Sequence, residues 1–261
     1  MMFDNFVICP WKYGQLKNGV DKGALVLEKY IKQSCIYGNF ITVSESNKDN
    51  NSYHERVYTQ SKSLYGNTLC LGGDHSVAIG SVLSSLEKNP ETCVIWIDAH
   101  PDMHTIMSST SKNVHGMPLS FICGTEKSWK WTQHIPKLEF ENLYYFGIRD
   151  CDDYETSVIK DKNINILRNV TEIIQLMKLN KYTHFHISFD VDSLDPSYMI
   201  STGTKSEYGI EPSEIEHLFT FLKSQEKCVN IDIVEYNPEI GDKYECAKSK
   251  NVIENIIKCI L

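Results

Sequence analysis

Four short polar blocks hold most of the residues that could do chemistry: LGGDHS (Leu71–Ser76), DAHPDMH (Asp98–His104), SFDVDSLDP (Ser188–Pro196) and EYNP (Glu235–Pro238). Each follows an apolar run that reads as a strand. In an open α/β sheet the carboxyl ends of the strands share one edge, where ligands bind, so the four blocks should converge. Asp98, His100 and Asp102 occupy alternate positions, and an extended backbone would send all three side chains to one side; the same holds for Asp190 and Asp192. Five such groups, joined by His75, would repel one another and lose hydration unless a cation neutralised them.

Six ligands, four of them carboxylates, can hold two divalent ions if one or two carboxylates bridge, with the ions about 3.5–4 Å apart. Imidazole and carboxylate without thiolate favour Mn²⁺, while ligand type alone also admits Zn²⁺, Co²⁺ or Fe²⁺. A water shared by the ions becomes a nucleophile near neutral pH. A single Asp-x-His or Asp-x-Asp is most often a turn or a helix cap. Three such blocks at three strand ends are far harder to obtain by chance. Gly72 and Gly73 alone would mean only a tight turn; with Asp74, His75 and Ser76 they place a ligand there.

The elements that must position these blocks are legible as short apolar runs alternating with segments of helical spacing, the pattern of a parallel sheet covered on both faces. Strands are expected at Phe6–Cys9, Phe40–Val43, Thr68–Leu71, Cys93–Asp98, Leu143–Phe146, Ile164–Leu167, His184–Asp190 and Val229–Val234. Helices are expected at Lys22–Lys32, Ser76–Leu86, Thr171–Lys178, Pro212–Leu222 and Ala247–Ile260. The fold class is therefore α/β, with a mainly parallel central sheet in a three-layer αβα arrangement, and residues 1–261 read as a single catalytic domain. The stretch SESNKDNNSY (Ser44–Tyr53) reads as a solvated loop.

With 261 residues, 41% of them hydrophobic, the chain can bury a substantial core. A formal charge of −8 and the lack of a Lys/Arg run exclude a phosphate-tracking surface, so nucleic acid is not an expected partner. No apolar run approaches the roughly 18 residues of a membrane span, and MMFDNFVICPWKYG is not a signal peptide, so a soluble, cytoplasmic protein is expected. The nine cysteines are scattered and never form a C-x-x-C pair, which suits free thiols in a reducing compartment.

Taken together, GGDHS (Gly72–Ser76), DAHPD (Asp98–Asp102), NVHG (Asn113–Gly116), SFDVDSLDP and DIVEYNP (Asp232–Pro238) resemble the ureohydrolases, the arginase and agmatinase family. KNGVDKGALVLEK (Lys17–Lys29) is similar to the family's N-terminal region, so the resemblance covers nearly the whole chain. It implies an arginase-like fold, two Mn²⁺ per chain, and hydrolysis of the guanidinium of L-arginine to ornithine and urea. It assigns one ion to His75, Asp98, Asp102 and Asp190, and the other to Asp98, His100, Asp190 and Asp192. It also implies that Asp102 orients the nucleophile, that His115 shuttles protons, that Glu235 grips the guanidinium and that Thr204 lies beside it. These roles suit a planar cation that needs a carboxylate partner and a leaving amine that needs a proton.

The resemblance further places Ser109, Ser111 and Asn113 where the family binds the substrate α-carboxylate, and Asp150, Asp152 and Glu155 where it meets the α-amino group. An agmatinase would not need that set, so a small guanidino substrate with an amino-acid end is expected. Three positions depart from the family's pattern: His104 stands where Asn is usual, within the carboxylate-binding loop, Lys112 where Gly is usual, and Lys205 where Pro is usual. Other ureohydrolase substrates, such as agmatine, guanidinobutyrate or a formimino amino acid, are the nearest alternatives, and a non-catalytic metal-binding relative is the alternative from another class. The family resemblance also implies a homo-oligomer, a trimer or hexamer.

Overall fold

The computed structural model describes residues 3–45, 47–179, 181–225 and 227–261. Eight strands form one sheet: β1 (Asn5–Cys9), β2 (Asn39–Thr42), β3 (Thr68–Gly72), β4 (Cys93–Ile97), β5 (Leu143–Phe146), β6 (Asn165–Leu167), β7 (His184–Asp190) and β8 (Cys228–Val234). Their order is β2-β1-β3-β8-β7-β4-β5-β6, and every pairing is parallel. All eight expected strands are present within one or two residues of their expected ends. β1, β3 and β4 are buried along their whole length, as continuous apolar runs covered on both faces must be. The edge strands β2 and β6 are short and partly exposed, which limits edge pairing.

Helices cover both faces: α1 (Val20–Gln33), α2 (Asn50–Lys62), α3 (Ala78–Lys88), α4 (Pro118–Ile122), α5 (Asp153–Asp161), α6 (Val170–Lys178), α7 (Pro212–Lys223) and α8 (Lys243–Ile260). On one face α1, α6, α7 and α8 bury Leu27, Ile173, Leu218 and Ile256 against Ile95, Ile187 and Ile233. On the other, α3 and α4 bury Val82 and Phe121 against Val94 and Trp96, while α2 sets Tyr53 and Val57 against Val7 and Trp11. Local signals set several starts. Asp242 and Glu245 form a reciprocal capping box for α8, Asn169 accepts from Glu172 N to open α6, and Pro212 opens α7. No described helix is long and apolar enough to cross a membrane.

The Ser44–Tyr53 stretch is corrected. α2 begins at Asn50, capped by Asp49, which accepts from Ser52 N, and Tyr53 is fully buried, stacked on Trp11 at 3.9 Å. The Asn and Ser residues there open a helix, and its polar composition hides a narrow inward stripe. Ser46, inside the same stretch, lies outside the described residues.

The topology explains the convergence of the polar blocks. The chain builds β3, leaves room for two strands, and continues at β4; β7 and β8 later fill that space. The four strands that precede the polar blocks are thus the adjacent quartet β3-β8-β7-β4 at the middle of the sheet.

Candidate metal centre

At the end of β3 the chain must pass close to the segment after β1. A Cβ on Gly73 would lie 1.8 Å from Trp11 O, so only glycine fits there. Asp74 then accepts from Gly14 N at 2.8 Å and from Ser76 N at 3.1 Å, fixing the turn that presents His75. The His75 ring stacks on Trp96 at 4.1 Å and its Nε2 meets Ser188 Oγ at 2.8 Å. Nδ1 is therefore left to face the centre of the site.

Three carboxylates from two strand ends meet that nitrogen: Asp98 Oδ2 at 2.9 Å, Asp102 Oδ2 at 3.1 Å and Asp190 Oδ2 at 3.2 Å. Beside them, His100 Nδ1 lies 3.2 Å from Asp192 Oδ2 and 3.4 Å from Asp98 Oδ1. The two oxygens of Asp98 thus face two different imidazoles, as a bridging ligand's would. The expected extended backbone is not what gathers these groups. β4 ends at Ile97, Asp98 Oδ1 accepts from His100 N at 2.8 Å, and Asp190 Oδ1 accepts from Asp192 N at 2.7 Å. Side-chain-closed turns, with Asp102 held at φ 52°, bring the ligands round instead.

Glu235 follows β8 in a left-handed conformation, φ 63°, a strain that persists only where the surroundings hold it. Its carboxylate accepts from His75 N at 2.9 Å and from Gln15 Nε2 at 2.7 Å, and meets His115 Nδ1 at 3.1 Å. These donors overcome burial and hold Glu235 below the usual carboxylate range. Burial opposes charge on His115, yet Glu235, Asp74 and Asp102 outweigh it and raise its pKa to about 9.

The electrostatics of the cluster favour a bound cation. Burial and the charge of Asp98 push Asp102 up to about 7 and Asp192 up to about 6, and burial with Asp192 and Asp98 raises Asp190 well above its ordinary value. Without a metal, then, the acids must share protons or lean on imidazolium. His75 Nδ1 is buried and makes no hydrogen bond although three oxygens stand within 3.2 Å. Oxygens ringed about a nitrogen without hydrogen-bond alignment suit joint ligation of one ion. The residues present therefore fit a metal, with His75, Asp98 and Asp102 as one set and Asp98, His100 and Asp192 as a second.

Comparison with known proteins gives the cluster its family. The arginase family profile matches residues 17–260. An arginase of Entamoeba histolytica is 32% identical, covering 98% of this chain and 95% of that one. An arginase of Glaciozyma antarctica is also 32% identical, over 74% of this chain; the match spans 61% of that relative's length. The crystal structure of the E. histolytica arginase in complex with L-ornithine superposes with a TM-score of 0.87 at 28% identity, covering 98% of each chain. The chain belongs to the arginase family. As an arginase-family protein it is a hydrolase of guanidino or amidino C–N bonds.

In this arginase-family protein the cavity over the cluster, about 140 Å³, is lined by His104, His115, Glu155 and Thr204 together with His75, His100, Asp102, Asp190 and Asp192. His104 Nε2 contacts Asp152 Oδ2 at 2.9 Å, and Asp150 Oδ2 stands 3.6 Å from His100 Nε2, so both acids reach the mouth. Ser109, Ser111 and Asn113, like Asp150 and Asp152, are not among the residues lining the 140 Å³ cavity. Ser109 Oγ and Ser111 Oγ lie 3.4 Å apart and accept from Lys112 N and Asn113 N, closing a turn on itself, with Lys112 at φ 60°. A larger cavity of about 410 Å³ opens elsewhere around Ser85, His184 and Asn230, but among the described residues no carboxylate lines it.

Sequence reasoning missed the residues that hold the ligands. Ser188 and Trp96 sit two residues before Asp190 and Asp98 on strand faces, a period-2 signal that could have found them. Asp74, inside the GGDHS block, is the exception, since its place at that turn is legible in the sequence. Gln15, 220 residues from Glu235, carries no such signal.

Proposed function

We propose that the protein hydrolyses L-arginine to L-ornithine and urea with two Mn²⁺ ions per chain. The observation that carries this reading is the buried His75 Nδ1 facing three carboxylate oxygens, with Asp98 turned toward both imidazoles. His75, Asp98, Asp102 and Asp190 would hold one ion, and Asp98, His100, Asp190 and Asp192 the other. Such ions supply Lewis acidity and lower the pKa of water enough for attack near neutral pH.

The chain's own groups do the rest. With the four ligand carboxylates neutralised by the two ions, Glu235 and, at the mouth, Asp150, Asp152 and Glu155 offer acceptors for a guanidinium at one end of the substrate and an α-ammonium at the other. Glu235, kept ionised by three donors, offers the acceptor that a guanidinium fork requires. His115, whose Nδ1 stands 3.1 Å from a Glu235 carboxylate that favours its cation, would give a proton to the departing amine. Thr204 lines the same cavity as the metal ligands. The product seen with the E. histolytica arginase, L-ornithine, is the one this reaction would leave. A reducing, cytoplasmic setting suits the free thiols of the described cysteines.

A urea assay on arginine and agmatine after Mn²⁺ loading tests the reading. Release from arginine is expected, and release from agmatine alone would reject arginine as substrate.

A further inference from the structure

Arg149 follows the bend after β5, where Gly147, at φ 92°, brings the chain against the end of β4; a Cβ there would lie 3.0 Å from Asp98 O. Its guanidinium donates to backbone carbonyls. Nε donates to Glu207 O at 2.9 Å, Nη1 to Gly147 O at 3.1 Å and Ser193 O at 3.0 Å, and Nη2 to Asp192 O and Ser206 O, both at 2.9 Å. Leu194 O stands at 3.5 Å from Nη2 as a longer, shared acceptor. A guanidinium has five N–H donors in a fixed fork, so these carbonyls take its full capacity; an ammonium has three.

The backbone of the same residue completes a ring. Arg149 N and Asp150 N both donate to Ala99 O, at 2.9 and 3.0 Å, and Ala99 N donates to Asp192 Oδ1 at 3.3 Å. Arg149 therefore fixes Asp192 from both ends, through its own carbonyl and, by way of Ala99, through its carboxylate. Ala99 sits between Asp98 and His100, so the ring also sets where His100 stands. On the other side of the cluster His75 is fixed by Ser188 and Trp96, and none of the carbonyls that the Arg149 guanidinium binds belongs to the turns carrying His75 or Asp102.

We propose that Arg149 is a positioning residue that sets the affinity of the ion held by His100 and Asp192, while the ion held by His75 and Asp102 is governed by other supports. This rests on the two-ion reading given above. A merely structural Arg149 would loosen the loops and weaken both ions alike.

Titration of the metal-free protein with Co²⁺, followed by visible absorbance and calorimetry, separates the two. The wild-type protein should bind two ions; fewer would sink the two-ion reading, and this inference with it. In Arg149→Lys one affinity should stay as in the wild type and the other fall by about 10–100-fold, the usual effect of removing a ligand's hydrogen-bonded support. Amide exchange at residues 192–195 and 206–209 should quicken in the same variant without metal. Arg149→Gln, which removes the charge altogether, serves as second variant should the lysine protein not fold. Two unchanged affinities, or two equally weakened ones, in a folded variant overturn the proposal.

Discussion

Ser188 Oγ lies 2.8 Å from His75 Nε2, and that one contact decides which nitrogen of the ring faces the carboxylates. Ser188 points to the same side of β7 as Asp190, so the strand supplies both a ligand and the group that orients another ligand. A second group bonded to a ligating imidazole fixes its tautomer and its direction. Ser188→Ala should weaken metal binding by about 10-fold or more, with turnover restored by excess Mn²⁺. The check is a chelator-competition titration of the folded variant; wild-type affinity would show that the stack on Trp96 suffices.

Asp98 should matter to both ions at once, because its Oδ2 faces His75 and its Oδ1 faces His100. Asp98→Asn keeps the shape and removes the charge. Both affinities should drop by at least about 100-fold, beyond what loss of a supporting partner produces, and elemental analysis after dialysis should find neither ion retained. Retention of one ion at full affinity would mean that Asp98 serves a single site.

His115 links the site to pH. Its folded pKa, about 9, stands above the ordinary 6.5 because Glu235, Asp74 and Asp102 favour the cation more than burial opposes it. A raised folded pKa contributes stability that is fully present below the unfolded value and is lost as pH climbs through the folded one. Metal-free protein should therefore lose stability between about pH 6.5 and 9. In His115→Asn that part of the loss should vanish, as urea unfolding at several pH values would reveal; an unaltered pH slope would detach His115 from Glu235. Activity should fall by about 10²–10⁴-fold in the same variant if the imidazole gives its proton to the leaving amine.

The sequence made the strands and their polar ends readable for one physical reason: a parallel strand buried on both faces is a continuous apolar run, and a run such as CVIWI that stops at Asp98 marks its own end. What it hid was helical polarity and distance. α2 buries Tyr53, Val57 and Tyr58, but also His54 and Ser61; His54 satisfies its ring through Ser76 Oγ at 2.8 Å, and a stripe with buried polar members does not read as apolar. α5 has only Glu155 fully inside. The turns that gather Asp98, His100 and Asp102 depend on side chains capping backbone, which strict alternation does not describe. Gln15 and Arg149 act across long stretches of chain, where spacing carries no information.

His104 is set against Asp152 at the mouth of the pocket. His104 Nε2 lies 2.9 Å from Asp152 Oδ2, the ring stacks on Tyr154 at 5.2 Å, and its Nδ1 meets Ser108 Oγ at 3.0 Å. Asp152 is thereby held by protein on one oxygen, while its other oxygen caps α5 by accepting from Glu155 N at 2.9 Å. A carboxylate engaged on both oxygens is a poor acceptor for a substrate ammonium. His104→Asn should free Oδ2 and lower the KM for arginine severalfold with kcat little changed, since only binding common to ground and transition states is altered. Asp152→Asn should instead raise KM and cost about 1 kcal/mol of stability or less, because asparagine still caps a helix well. Steady-state kinetics on both variants, with thermal unfolding alongside, decides the matter: an unchanged KM in His104→Asn would show that the histidine does not compete with substrate for Asp152.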